Sequence, residues 1–266
     1  MRVRFYLGAL TAVILGCQTV NDEAQVYPAA EDAALVHLDR AERLFIRHAQ
    51  SEEVLAEIEE ALRRCPDWPR AYQLRGYVRM RQGQNRDAVA DLTLALAGGL
   101  EEPAFAYDTR GMLRRSLGDL DGAIADLTSS IAHGSPAAFL ANTYEARADL
   151  WYAKGDVTRA LQDLEQSIRL CSDHVLARVL RAQIRIDHSE FDDAHADLEA
   201  ALRTSPGNPI VLLKRADLHL AKGDYSAALA DATTVLEHAA PGGAAASDAQ
   251  RRMDEAARRQ SEDGSR

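Results

Sequence analysis

The feature that most constrains this chain is a block of residues that recurs about every 34 positions. Between Trp68 and Gly98 it runs Tyr72, Arg75-Gly76, Gly83, Ala88, Asp91-Leu92 and Ala95-Leu96. It returns as Tyr107, Arg110-Gly111, Gly118, Ala123, Asp126-Leu127 and Ser130-Ile131. The next copy is Tyr144, Arg147-Ala148, Gly155, Ala160, Asp163-Leu164 and Ser167-Ile168. One column, Val54, Ala88, Ala123, Ala160, Ala194 and Ala228, is spaced by 34, 35, 37, 34 and 34 residues. A period of this length marks supersecondary units that cannot bury their apolar face alone, and so a stack of helical hairpins. An apolar content of 47% with only 6% aromatic residues suits alanine-rich helix packing and not a sheet-based core.

These residues resemble the tetratricopeptide repeat (TPR) family, whose units carry an aromatic, a small residue four on, Gly, Ala, a large apolar residue and Ala-Leu. The resemblance covers roughly Leu35 to Glu237. It implies an all-α fold, a right-handed solenoid of about six helix-turn-helix repeats with a further C-terminal helix, and a role in binding other proteins. Repeat one matches least, with Glu42 where a small residue is expected and Val54 where Ala is. The expected helices span 32–48, 51–64, 69–82, 85–97, 103–117, 120–132, 136–154, 157–170, 173–188, 191–203, 208–222 and 225–238, and a polar one spans 247–260. Gly83, Gly118, Gly155 and Gly223 follow first helices, where a left-handed residue is cheap, and Asp119, Asp156 and Asp224 can cap the next helix. The 37-residue spacing places about three extra residues near Ala132 to Ala138.

The N-terminus reads MRVRFYLGALTAVILGCQTV. Arg2 and Arg4 precede an apolar run from Phe5 to Leu15 that is short for a bilayer span. Ile14-Leu15-Gly16-Cys17 resembles a bacterial lipobox. That resemblance implies cleavage before Cys17, with a diacylglycerol on its sulfur and an acyl group on its new amine. Ordinary secretory cleavage or an uncleaved anchor is the alternative. Gln18, in place of an Asp, leans toward the outer membrane over the inner, facing the periplasm. The expected organisation is a signal peptide over 1–16, a lipidated tether over 17–30, the TPR solenoid over 31–238, and a linker, cap helix and frayed tail over 239–266.

A net charge of −10 and a pI near 5.3 argue against nucleic acid as a partner. The eight histidines show no metal-ligand spacing, and no catalytic triad or carboxylate pair can be located. No enzyme, metal, cofactor or small-molecule substrate is expected. Cys65 and Cys171 close equivalent second helices in repeats one and four, too far apart to pair.

One polar column needs an explanation. Arg75, Arg110, Arg147, Arg181 and Arg215 each precede an aspartate by 16 residues: Asp91, Asp126, Asp163, Asp197 and Asp231. Beside the close-contact position of a hairpin, an arginine is costly unless paired. These pairs are expected to be structural, formed within a repeat or with the preceding one. Repeat one is expected to lack the arginine, having Ala41 there and Glu57 in place of Asp.

In TPR-like solenoids the first helices line the concave side. The expected partner groove contains Arg70, Tyr77, Met80, Met112, Arg115, Tyr152, Leu176, Ile186, Leu213 and Leu220. Val36, Asp39, Arg43 and Ile46 are its expected contribution from repeat one. An apolar segment would sit on Leu176, Ile186, Leu213 and Leu220, its acidic end toward Arg70 and Arg115; alternatively, the C-terminal helix folds back over repeats five and six. The expected function is a membrane-anchored scaffold for an envelope complex. The alternatives are an accessory subunit or regulator of an envelope enzyme, or a soluble periplasmic TPR protein.

Overall fold

A computed structural model describes residues 29–240 and 242–263; Cys17 and nearly all of the expected tether lie outside the described residues. The described residues form thirteen α-helices and no strand. They are α1 (Ala29–Ile46), α2 (Ser51–Arg64), α3 (Pro69–Arg81), α4 (Asn85–Ala97), α5 (Ala104–Ser116), α6 (Leu120–Ala132) and α7 (Ala137–Ala153). There follow α8 (Val157–Leu170), α9 (Val175–Asp187), α10 (Phe191–Thr204), α11 (Pro209–Lys222), α12 (Tyr225–His238) and α13 (Ala244–Asp263). Observed and expected ends differ by at most three residues. The described residues divide into two compact units, one ending at Phe139 and the other beginning at Leu140. The division follows the stretch that lengthens one repeat.

Local chemistry sets the helix ends. The Asp119, Asp156 and Asp224 carboxylates accept from the backbone N–H of Gly122, Arg159 and Ala227 at 2.9, 3.0 and 3.1 Å, capping α6, α8 and α12. Between the helices of a hairpin the chain passes through the left-handed region, with φ of 75°, 84°, 81° and 77° at Gly83, Gly118, Gly155 and Gly223. Ser189 in repeat five and His48 in repeat one take that position at 61° and 55°. A side chain there costs about 1–2 kcal/mol, so these turns are held by the helices that flank them.

In the first unit, Leu38 and Phe45 of α1, Val54 and Ile58 of α2, Leu74 and Val78 of α3, Leu92 of α4 and Leu113 of α5 form one buried cluster. The small residue of each hairpin lets its helices approach. A methyl on Gly76 would lie 3.0 Å from the Leu92 side chain. In the second unit, Ala148, Ala182 and Ala216 hold that position, each fully buried.

Repeat one departs from the expected register. Its turn from α1 to α2 has four residues, 47–50, where the turn from α3 to α4 has three, 82–84. The extra residue shifts α1 by one position. Ala41, fully buried, is therefore the close-contact residue, and Glu42 is not. Arg40 occupies the arginine column that repeat one was expected to lack, and its Nε lies 3.1 Å from Glu57.

Candidate functional site

The arginine column and its aspartates come together in every pair. The shortest N–O distances are 2.7 Å for Arg75–Asp91, 2.6 Å for Arg110–Asp126 and 2.8 Å for Arg147–Asp163. Arg181–Asp197 and Arg215–Asp231 close at 2.6 and 2.7 Å. Each guanidinium offers Nε and Nη2 to the two carboxylate oxygens, the bidentate geometry that suits arginine best. The aspartates are buried, at 1–6% exposure, and the arginines somewhat less so. Hydrogen bonding to Asp91, Asp197 and Asp231 raises the pKa of Arg75, Arg181 and Arg215 respectively, against the opposing effect of burial. Three arginines also lie over the tyrosine three residues earlier: Arg75 on Tyr72, Arg110 on Tyr107 and Arg147 on Tyr144.

Pairing within the repeat settles a choice that spacing left open, and the preceding repeat contributes as well. Arg110 Nη1 donates to Thr93 at 3.1 Å, and Arg215 Nη1 to Glu199 at 2.5 Å. Glu57, the other candidate for Arg75, is taken by His37 and Arg40.

A second cation column was missed. Arg79, Arg114 and Arg185, four residues after the ladder arginines, reach Asp91, Asp126 and Asp197 at 2.7, 2.9 and 2.6 Å. His219 holds the same place at 3.8 Å from Asp231. In repeat four this position is Trp151, which stacks under Arg159 instead. Asp163 therefore has Arg147 as its only cation among the described residues. The signal was present as basic residues twelve positions before the aspartates.

The expected groove residues fare unequally. In the first unit, Tyr77 is buried within the core cluster and hydrogen-bonds to Gln73 at 3.1 Å. It is not open to a partner. Arg70 is exposed but already paired with Glu42 at 2.7 Å, so it offers less positive charge than its position suggested. Burial raises the Glu42 pKa while Arg70 opposes the shift. Met80, Met112 and Arg115 are half-buried, and Arg43 is exposed. With the register corrected, Val36 and Asp39 belong to the side of α1 that would face a preceding repeat. Val36 is 66% exposed there.

In the second unit, Leu213 and Leu220 are covered. They pack under Ala249, Met253 and Ala256 of α13, and Arg252 Nε donates to the Leu213 carbonyl at 3.1 Å. The polar helix thus folds back on α11 and α12, and these two leucines are not a free docking surface. Leu176 and Ile186 are partly buried, Ile186 against the cluster of Val179, Ala182 and Leu198, and Ile210 is 50% exposed.

A chain of polar contacts runs along this face. The Tyr152 hydroxyl donates to Asp187, and Gln183 Nε2 donates to the same carboxylate at 2.8 Å. Lys214 bridges Gln183 and Asp217, the latter at 3.0 Å. Arg252 closes the chain on Asp217 at 2.6 and 3.0 Å. Burial and the adjacent Asp187 push the Tyr152 hydroxyl up to about 12. His174 joins α7 to α9: its Nδ1 accepts from Ala177 N–H while its Nε2 meets Asn142 Oδ1 at 2.7 Å. Burial lowers the His174 pKa, which favours this neutral form.

Cys65 and Cys171 are free thiols. Among the described residues no His, Cys, Asp and Glu side chains cluster as metal ligands, and no helix is long and apolar enough to cross a membrane.

Comparison with known proteins agrees with this architecture. Residues 179–244 match the family model described as Tetratricopeptide repeat. No curated protein matches the sequence. A tetratricopeptide repeat protein from Parabacteroides merdae superposes with a TM-score of 0.68 at 20% identity, covering 85% of this chain and 90% of its own. PilF of Pseudomonas aeruginosa gives 0.66 at 15% identity, over 84% and 99%. PilW, a widely conserved type IV pilus biogenesis factor, gives 0.66 at 16% identity, over 80% and 96%. The described residues are all-α, six helical hairpins and a thirteenth helix, and share the fold of TPR solenoids.

Proposed function

We propose that this chain is a lipid-anchored scaffold of a bacterial cell envelope, held in the outer membrane and facing the periplasm. It docks protein partners on its first-helix faces during assembly of an envelope complex. The observation that carries this reading is the division of labour within each hairpin. One side of every first helix is consumed by packing and by an arginine–carboxylate pair. The other retains partly buried apolar side chains, such as Met80, Met112, Leu176 and Ile186, together with the 50% exposed Ile210. PilF and PilW share the fold, and the stated role of PilW makes a pilus-type assembly the leading kind of complex. Binding alone performs this role, with no catalytic step, metal or cofactor.

Cys17 supplies the anchor in this reading. Several acyl chains hold a protein durably, since each buried methylene contributes about 0.8 kcal/mol. Metabolic labelling with a fatty acid is expected to mark the wild type and to follow it into the membrane fraction. Cys17→Ser is expected to lose both label and sedimentation. A variant that keeps them contradicts the anchor.

A further inference from the structure

The first-helix face of the second unit carries one carboxylate in an unfavourable place. Asp187 is the last residue of α9, where the helix dipole already disfavours negative charge. Its side chain is exposed, and among the described residues its hydrogen bonds come from neutral donors, Tyr152 and Gln183. Neighbouring Asp217 is treated differently. It is held by two cations, Lys214 and Arg252.

Arg252 does not come alone. It arrives on α13, which lays Ala249, Met253 and Ala256 over Leu213 and Leu220. The chain thus already seats a helix with apolar and arginine residues on one part of this face. The adjoining part has the same ingredients, and among the described residues the packing of Ala249, Met253 and Ala256 does not extend onto it. Leu176 starts the face on α9, and Asp187 lies eleven residues on, about 16 Å away and on the same side of the helix. Ile210, half exposed, begins α11 beside it.

We infer that Leu176, Ile186, Ile210 and Asp187 dock a cationic amphipathic helix of a partner protein, with an arginine or lysine on Asp187 and an apolar stripe on the aliphatic residues. This rests on the scaffold reading and names the chemistry of the partner segment. An acidic segment would meet Asp187 with like charge and is disfavoured by it.

The test uses a fluorescent helical peptide of about five turns with a leucine stripe flanked by arginines. Its controls replace every arginine with glutamate, or every leucine with serine. Anisotropy is measured with the detergent-solubilised full chain. The arginine–leucine peptide is expected to bind at least about tenfold more tightly than either control. Asp187→Asn and Ile210→Ser are each expected to weaken it about fivefold or more. Both positions face solvent, so the fold is spared, and circular dichroism checks that. No binding, equal binding of either control, or undiminished binding to both variants overturns the inference. So does self-association that Ile210→Ser abolishes, which would assign the face to a second copy. A partner cross-linked at Met80 in the envelope, with no peptide bound here, would defeat this inference and leave the scaffold reading standing.

Discussion

Asp197→Ala is expected to be among the most damaging single substitutions in the second unit, at a cost of about 3 kcal/mol. The carboxylate is 3% exposed and faces three guanidinium groups, at 2.6 Å from Arg181, 2.6 Å from Arg185 and 3.5 Å from Arg178. Removing it leaves three cations confined together with no counterion. Arg181→Ala is expected to cost much less, about 1 kcal/mol, because Arg185 and Arg178 still serve Asp197. Arg147→Ala should fall between them at about 2 kcal/mol, since Asp163 then has no cation. Stacked repeats can open in parts, so hydrogen exchange along the hairpin that carries each substitution (α7 and α8 for Arg147, α9 and α10 for Arg181 and Asp197) is the measurement of choice, with thermal melts beside it. Equal effects from all three substitutions would contradict the view that each pair belongs to a cluster of defined membership.

Ending the chain at Ala239 is expected to destabilise the second unit by about 4 kcal/mol. Leu212, Leu213, Leu220 and Val235 lie beneath α13 or at its edge, each below 10% exposure. Fully exposing such a side chain costs about 1.5–3 kcal/mol, and truncation uncovers only part of each. Asp217 would also lose Arg252 and keep only Lys214. The expected readout is faster exchange in α11 and α12 together with binding of a hydrophobic dye. Unchanged exchange there would reduce α13 to an appendage. The same packing alters what charged variants mean. Leu213→Asp with Leu220→Asp would place two carboxylates under α13 and unseat it, so lost partner binding would report disrupted folding as much as a lost contact.

Much of this was legible in the repeat columns because each column answers to one physical demand. Ala88, Ala123, Ala160, Ala194 and Ala228 are fully buried where helices approach most closely. Glycines mark turns that need positive φ, and the aspartates after them cap helices. The arginine–aspartate spacing of 16 was readable for the same reason, as one turn geometry repeated.

What escaped reading depended on offsets and on neighbours. One extra residue in the turn at 47–50 hid Arg40 in repeat one and moved Glu42 to where it meets Arg70. The second cation column was overlooked because Trp151 and His219 interrupt its arginines. Periodicity also overstates the width of the open face. Asp108, Glu145, Val179 and Leu213 share a column that appeared free at 100° per residue, yet all are at most 8% exposed. The pattern ends at His238, and a helix beyond the pattern carries no register from which its packing could be read.

Partners are proposed to dock on the first-helix faces. The measurement that tests it most directly is photo-cross-linking in the native envelope, with the reactive residue placed at Met80, Met112 or Ile210 and, as controls, at Leu94 and Leu236. The controls are solvent-facing positions on second helices, 50% and 37% exposed. A common partner is expected to be captured from the first-helix positions and to be absent from the second-helix positions. Capture from Leu94 and Leu236 with none from Met80, Met112 and Ile210 would contradict it.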